Sequence, residues 1–307
     1  MASRTIQQGI LRSRNFTTNL SWLGLCAFIS VLALSSTSYA VDPSQLGLDS
    51  IANFAAYGQG NLTVTGATTN NGDLGLGPNG TQNFGSAFTI NGTYRVDTTA
   101  NNSNPYSGVN FTGGTSVQDL SIVPTTLGNV SAYAAGLTAT LTLTSTLTTN
   151  YTFVGNGGYN IISLPGISLN GTRTLTLQGG ANDVFVFNVG NNNVSFLQSG
   201  AMAVTLSGVA TNHVLFNLMN TSAGVNALTV SGNNETILGT FIAPYASISI
   251  GSDKVYGGVF AGGSALTLNS STISDNIFAL PEPSTFALVG VSCLLGLGLW
   301  PRRRARR

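Results

Sequence analysis

Few residues of this chain have the types that acid–base or metal chemistry requires. His213 is the only histidine, and both cysteines, Cys26 and Cys293, lie in apolar segments near the two ends of the 307-residue sequence. A zinc site needs several histidine or cysteine ligands, and a serine nucleophile needs a base and a Gly-x-Ser-x-Gly elbow, which this sequence lacks. We therefore predict no catalytic residue, no metal site and no cofactor, and a structural role for His213.

Carboxylates are the remaining candidates for catalysis. A glycosidase needs two of them facing each other across a cleft. Four acids lie in the second half of the body: Asp183, Glu235, Asp253 and Asp275. No pattern in the sequence arranges any two of them as a pair, so we expect that the protein is not an enzyme.

The charge of the body excludes another class of partner. Residues 41–280 contain three cations, Arg95, Arg173 and Lys254, against nine acidic residues. A domain that binds nucleic acid needs clustered cations to neutralise phosphates. The sequence therefore predicts no nucleic-acid partner.

A run of alternating residues predicts a strand that carries a possible ligand face. From Leu137 to Leu147, every second residue is a threonine and four of the others are leucines, which places the threonines and the leucines on opposite faces of a strand. The threonines are Thr138, Thr140, Thr142, Thr144 and Thr146. Threonine is also a good strand former, so this face has either a ligand-binding role or none beyond solvation.

The elements that position these residues are predicted to be many short strands. Gly239–Ile250 is echoed by Gly258–Leu268, with apolar pairs 18 residues apart, which is typical of one coil of a β-solenoid. We predict an all-β fold, a right-handed β-solenoid, with a β-sandwich as the alternative. Helical spacing after Pro124 predicts one helix that ends near Gly136 and lies along an edge of the solenoid.

The N-terminus has the features of an export signal. Arginines precede an apolar segment, Trp22–Leu34, and small residues, Ser38 and Ala40, stand where a signal peptidase reads. We predict a signal peptide over residues 1–40, an extracellular domain over 41–280 and a tail over 281–307. The alternative is a chain held by two ordinary transmembrane helices.

The C-terminus combines a motif, an apolar stretch and a basic end. Pro281, Glu282 and Pro283 precede the 15-residue stretch Phe286–Trp300. The basic end consists of Arg302, Arg303, Arg304, Arg306 and Arg307. The stretch predicts a short transmembrane helix of roughly 22 Å, and the arginines predict a cytoplasmic C-terminus.

This order of features resembles the PEP-CTERM sorting tail of exported bacterial proteins. The resemblance implies an exosortase-type partner that reads Pro281, Glu282 and Pro283, and a location in the cell envelope or outside the cell. In the body, Asn212–Asn217, Gly239–Ala246 and Gly257–Ala261 resemble the choice-of-anchor A domain. More distantly, the segments Asn71–Gly75 and Asn182–Phe187 are similar to the ice-binding β-solenoid family.

These features together predict an exported, non-catalytic protein of the cell surface or extracellular matrix. Its expected partners are the sorting enzyme, an envelope or extracellular polysaccharide, and the membrane through the C-terminal segment. The alternative function is an ice-binding or polysaccharide-binding protein that uses a threonine-rich β-face.

Overall fold

The computed structural model describes residues 51–274, with gaps at 52, 86–87, 102–108, 191, 199–201, 223–224 and 233. This part of the chain winds into a β-solenoid whose coils add strands to stacked sheets on three sides, and every paired strand runs parallel to its neighbours. The fold prediction is confirmed. The β-sandwich alternative is wrong, because a sandwich consists of antiparallel sheets.

Sheet A has ten strands. In spatial order they are β10 (Leu141–Thr142), β12 (Tyr159–Leu164), β15 (Val184–Val189), β18 (Val214–Leu218), β21 (Thr240–Ala243), β24 (Val259–Ala261), β1 (Phe54–Gly58), β4 (Asp73–Leu76), β7 (Tyr94–Asp97) and β9 (Thr115–Gln118).

Sheet B forms the second side with seven strands. In spatial order they are β13 (Ile167–Gly171), β16 (Val194–Gln198), β19 (Asn226–Ser231), β22 (Ser247–Gly251), β25 (Ala265–Asn269), β2 (Asn61–Thr65) and β5 (Thr81–Phe84).

The third side is divided between two sheets. Sheet D contains β11 (Tyr151–Val154), β14 (Leu175–Gln178) and β17 (Val204–Ser207). Sheet C contains β20 (Thr236–Leu238), β23 (Lys254–Tyr256), β26 (Thr272–Ser274), β3 (Thr69–Asn71), β6 (Thr89–Asn91) and β8 (Asn110–Phe111).

The predicted coil period is confirmed by the strand register. Phe241 lies opposite Val259 and Ile242 opposite Phe260, an offset of 18 residues. Inward side chains of successive coils stack in the core: the rings of Phe216 and Phe187 are 4.8 Å apart, and those of Phe216 and Phe241 are 4.6 Å apart. Each coil buries its apolar side chains mainly against its neighbours, as expected for a repeat architecture.

The order of the coils in space differs from their order in the sequence. Strand β1 pairs with β24 on one side and with β4 on the other, so the N-terminal coils continue the stack beyond the C-terminal coil. The chain then leaves β9 at one end of the rod, and the helix that follows leads to β10 at the opposite end. The first and last described residues therefore belong to adjacent coils in the interior of the stack.

The single long helix of the described region, α1 (Ile122–Gly136), confirms the helix prediction. Its buried residues Leu127, Val130 and Ala134 pack on outward side chains of sheet A, such as Val186 and Leu215. The helix therefore covers a face of the sheet. The expectation that it lies along an edge is wrong. Strands of sheet A are buried on both faces in consequence, as the fully buried strand β15 shows.

The prediction of one strand from Leu137 to Leu147 is wrong. Only Leu141 and Thr142 form a strand, β10, and Leu147 makes an isolated bridge to Ile167 of sheet B. The chain turns a corner of the solenoid between these points. Eleven residues in one strand would exceed the width of a side, because the strands of this solenoid have at most six residues.

None of the helices in the described residues is long and apolar enough to cross a membrane. The predicted signal peptide and the predicted C-terminal transmembrane helix lie outside the described residues.

Candidate functional site

The outer face of sheet B carries a regular file of hydroxyl side chains. In six of its seven strands, two apolar side chains point inward, such as Leu266 and Leu268, and one small polar side chain points outward between them, here Thr267. Strand register brings the outward residues of six strands into line. We call them the hydroxyl ladder, in spatial order Ser168, Ser195, Thr229, Ser249, Thr267 and Thr63.

The ladder is regular because the sheet is. Neighbouring strands lie about 4.8 Å apart, so six rungs extend over about 24 Å. Asn83 continues the file on the seventh strand. All six hydroxyl residues are partly exposed to solvent.

The hydroxyls of the ladder are available for external contacts. Among the described residues, no hydrogen bond joins a ladder hydroxyl to another protein group. By contrast, side chains in the flanking files are paired with each other: Thr65 Oγ1 donates to Asn269 Oδ1 at 3.2 Å, and Thr81 donates to Asn61. The flanking side chains therefore link neighbouring strands, while the ladder hydroxyls make no hydrogen bond to described protein groups.

The same face lacks charge. The seven strands of sheet B contain no Asp, Glu, Lys or Arg. An uncharged, flat array of hydroxyls suits a ligand that is itself a neutral array of hydrogen-bonding groups, such as ordered water or a glycan. It does not suit an ionic ligand, for which charge-assisted hydrogen bonds are the strong ones.

The third side of the solenoid has threonines in a less uniform setting. On sheet D, Thr205 Oγ1 donates to Thr176 Oγ1 at 3.1 Å, so these hydroxyls are already paired. On sheet C, Lys254 interrupts a file that contains Thr236 and Thr272. This side is therefore the weaker candidate for binding a neutral lattice.

The predicted ligand face does not form one surface. Of its five threonines, only Thr142 belongs to a strand. Thr140 Oγ1 is engaged with the backbone of Ile161, to whose carbonyl it donates at 3.0 Å, and Thr146 Oγ1 accepts a hydrogen bond from Asn192 at 3.1 Å. Thr138 and Thr144 are exposed on the same terminal coil. A role of these threonines in binding stays a prediction.

Sequence reasoning missed the hydroxyl ladder although its signal was present. Each rung is a short apolar–hydroxyl–apolar triplet, such as Ile167-Ser168-Leu169 or Ile248-Ser249-Ile250. Such triplets predict strands one by one, and only the register shows that their central residues share one file.

His213 lies in a short 3₁₀ turn, Thr211–His213, directly before β18. Its Nδ1 is buried and has no hydrogen-bond partner in the described structure. Within the described ranges, no three His, Cys, Asp or Glu side chains are close enough together to hold a metal ion.

The candidate carboxylates Asp183 and Asp253 stabilise turns. Asp183 accepts hydrogen bonds from the backbone N–H groups of Gly157 and Gly180, both at 2.8 Å. Burial works to raise the pKa of Asp183, but these bonds and that from Asn160 outweigh it and hold the pKa below its usual value. Asp253 accepts from the N–H groups of Gly232 and Glu235, and burial raises its pKa in spite of them. Asp275 lies outside the described residues.

The sorting motif Pro281, Glu282 and Pro283 also lies outside the described residues. The same is true of the basic end, Arg302, Arg303, Arg304, Arg306 and Arg307. Their roles stay predictions.

Comparison with known proteins agrees with this architecture. A family model described as a putative ice-binding-like adhesive domain matches residues 31–272. No curated protein matches the chain in sequence.

Solved structures of ice-binding proteins share the fold at low sequence identity. The protein from the Antarctic ascomycete Antarctomyces psychrotrophicus is 22% identical with a TM-score of 0.52, and the match covers 74% of this chain and 96% of that one. A protein from an Antarctic biological consortium is 19% identical with a TM-score of 0.50, over 74% and 89% of the two chains. One from an Antarctic bacterium of the Flavobacteriaceae is 22% identical with a TM-score of 0.52, over 74% of this chain and 46% of that one.

Proposed function

This chain belongs to the family of putative ice-binding-like adhesive domains, and we propose that it is an exported, non-catalytic protein that binds a repeating neutral surface through sheet B. The observation that carries the proposal is the hydroxyl ladder, six aligned hydroxyls without protein partners on an uncharged face. Ice is the ligand that this geometry supports best.

The physical reason is the match between a repeating array and a repeating ligand. One hydroxyl binds water weakly and exchanges it quickly, because the net gain of a single hydrogen bond is only about 1 kcal/mol. Six hydroxyls at one spacing hold a file of waters in register, and each ordered water adds to the same lattice. The rigid solenoid core fixes the spacing in advance, so little conformational entropy is lost on binding.

A polysaccharide is the second candidate ligand. Three rungs are serine and lack the methyl group of threonine, which makes the face more polar than a file of threonines. Asparagines such as Asn61, Asn226 and Asn269 border the ladder and are exposed. Their amide groups both donate and accept hydrogen bonds, as sugar hydroxyls require.

The exit points of the chain support presentation of sheet B to the outside. The carbonyl of Asn53 accepts from Asp73 N–H at 3.1 Å, and that of Ser274 accepts from Gly257 N–H at 3.0 Å. Both residues therefore lie at the corner between sheets C and A, on adjacent coils. In a three-sided coil this corner is opposite sheet B, so a protein that is held at the envelope by its tail would turn the hydroxyl ladder away from the envelope.

The binding proposal is tested with two matched substitutions in one coil. Thr267 on sheet B and Thr272 on sheet C are both partly exposed and separated by four residues. We expect Thr267→Asp to abolish inhibition of ice recrystallisation and Thr272→Asp to leave it unchanged. The reverse result would place the ligand on sheet C.

Two assays of the unmodified protein separate the candidate ligands. If ice recrystallisation is unaffected by the unmodified protein, sedimentation with insoluble envelope polysaccharide tests the second candidate. Failure of the protein to act on ice and to bind polysaccharide would refute the proposal for sheet B.

Sorting by an exosortase rests on the tail motif alone. We expect that replacement of Pro281, Glu282 and Pro283 by alanine leaves the protein in the membrane fraction of a host that contains an exosortase. Normal release of this variant would show that the motif does not act as a sorting signal.

A further inference from the structure

The coil of residues 137–154 closes one end of the rod, and its edge has no strand partner in the described structure. Its strand β10 is the last of sheet A, and β11 is the last of sheet D. On the second side, Leu147 is bridged only to Ile167. A terminal coil of this kind presents backbone groups that are ready to pair with another strand.

The backbone of β11 shows which groups point outward along the rod. The N–H groups of Tyr151 and Gly155 donate to the next coil, to Thr174 at 3.1 Å and to Gln178 at 2.7 Å. Because hydrogen bonding alternates along a parallel strand, the N–H groups of Thr152 and Val154 point to the open side.

This edge lacks the devices that normally protect edges. Residues 137–154 contain no charged residue, no proline and no glycine. The carboxylate of Asp183, in the next coil inward, lies near the end of β11, but it is buried and accepts a hydrogen bond from Gly157 N–H. Charges, prolines and bulges are the usual means by which proteins keep edge strands from pairing.

Apolar surface accompanies the open edge. Val154 is 69% exposed and Leu141 is 38% exposed. Between them lies a cleft of about 200 Å³ that reaches the core side chains Phe153, Ile162 and Phe185. An edge with this composition gains both hydrogen bonds and apolar burial when a strand is added.

The opposite end of the rod is different. Its last strand of sheet A, β9, lies beside Arg95, which donates to Gln118 at 3.3 Å. The carboxylate of Asp97 accepts from Leu120 N–H at 2.7 Å and fixes the passage into the helix. Asp119 adds a further charge at that end. A head-to-tail contact would therefore place an uncharged edge against a charged one.

We propose that the terminal coil 137–154 is a self-association surface, and that its partner is the same end of a second copy of this chain. In this dimer the two β11 strands pair antiparallel across a twofold axis, and the exposed side chain of Val154 is buried between the two rod ends. Twofold contacts of this kind join like to like and close at two subunits. The first and last described residues belong to coils five or six strand spacings from this edge, which is about 24 Å or more.

The dimer leaves the hydroxyl ladder accessible. Sheet B lies along the side of each rod and the contact is at the end, so the ladder of each copy stays exposed. The twofold axis turns the two ladders to different sides of the dimer. Binding through sheet B and pairing through the terminal coil are therefore separate properties, and neither depends on the other.

The experiment is sedimentation velocity of the full-length chain over a hundredfold range of concentration, with detergent mass subtracted. Val154→Lys places a charge on the open edge, and Val117→Lys places one at the opposite end, where Val117 is 63% exposed. We expect a dimer for the unmodified chain and for Val117→Lys, and at least tenfold weaker association for Val154→Lys. Thr152→Lys is a second variant on the same edge and should act in the same direction.

Three results would overturn the proposal. A monomer at every concentration would show that the edge does not pair with itself, and a series of growing oligomers would show head-to-tail assembly. Equal weakening by Val117→Lys and Val154→Lys would assign association to other parts of the chain. Hydrogen exchange gives the second readout: the amides of Thr152 and Val154 should be protected in the dimer only, and protection in a monomer would mean that another segment of the chain covers the edge.

Discussion

The side-chain amide of Asn217, at the outer face of sheet A, donates a hydrogen bond of 3.0 Å to the carbonyl oxygen of Ser131 in helix α1. It also donates to Asn188 Oδ1 at 2.8 Å, and Asn188 in turn donates to the carbonyl of Ala134 at 2.7 Å. Both asparagines are buried. Two polar links in an otherwise apolar interface fix the position of the helix along the sheet, because a shift by one residue would leave buried amides unpaired.

Replacing Asn217 by alanine should release this end of the helix. The change removes two hydrogen bonds and leaves buried acceptors unpaired, which costs about 2–3 kcal/mol of the free energy of unfolding. Chemical denaturation measures the loss, and hydrogen exchange should show faster exchange in α1. Asn170→Ala, at an exposed position of β13, is the control and should change the stability by less than about 0.5 kcal/mol. An unchanged stability of Asn217→Ala would mean that apolar packing alone holds the helix.

The local elements of this fold were predictable, and their order in space was not. Alternation of apolar and hydroxyl residues indicated strands such as Leu266–Leu268, and helical spacing indicated α1. The pairing of Asn61 with Ala265 joins residues that are far apart in sequence. No local pattern specifies such a contact, because β2 offers the same alternation to any strand of matching length. The placement of the N-terminal coils next to β25 therefore required the structure.

The candidate site illustrates the same limit. The long Thr–Leu alternation after Leu137 was the strongest local signal, and it indicated a flat threonine face. It failed because the solenoid turns a corner within it, and corners depend on the stacking of the coils and not on alternation. Conversely, nothing in the sequence of its own strand marks Thr229 as a binding residue. It becomes part of the hydroxyl ladder only because Ser195 and Ser249 lie beside it on the neighbouring strands.

The stacked phenylalanines should contribute strongly to the cohesion of the coils. Phe216 lies between Phe187 and Phe241 and is fully buried. Phe216→Ala should cost about 3–5 kcal/mol, since it removes a large buried side chain and leaves a cavity between coils. Thermal or chemical unfolding measures this loss. Leu197→Ala, at an exposed position of sheet B, is the control and should be nearly neutral; a similar loss for both would argue against a special role of the stack.

A glycine at the corner between sheets C and A should not tolerate a side chain. Gly257 has φ +144°, and a Cβ atom there would lie 2.1 Å from the carbonyl oxygen of Gly239 in the neighbouring coil. Gly257→Ala should therefore destabilise the protein by about 2–4 kcal/mol through strain and separation of the coils. Gly136→Ala is the control, because a Cβ atom at the end of α1 meets nothing within 4 Å. This control should be neutral or stabilising by up to about 1 kcal/mol, and equal losses in the two variants would contradict the corner argument.

The stability of the fold should fall in acid, with Asp183 as one cause. Its pKa is lower in the folded chain than in the unfolded chain, so its contribution is present above the unfolded value of about 3.9 and is lost as the pH falls through the folded value. Asp183→Asn should lower the stability at pH 7 and flatten the decline below about pH 4.

Asp253 has the opposite effect on the pH dependence of stability. Burial raises its pKa, so its ionised form opposes folding, and protonation removes this unfavourable contribution. In Asp253→Asn, the free energy of unfolding should therefore fall in acid at least as steeply as in the unmodified protein. Denaturant unfolding between pH 2 and pH 7 measures both slopes on one scale. A decline that is unchanged in Asp183→Asn would show that other carboxylates dominate the acid response.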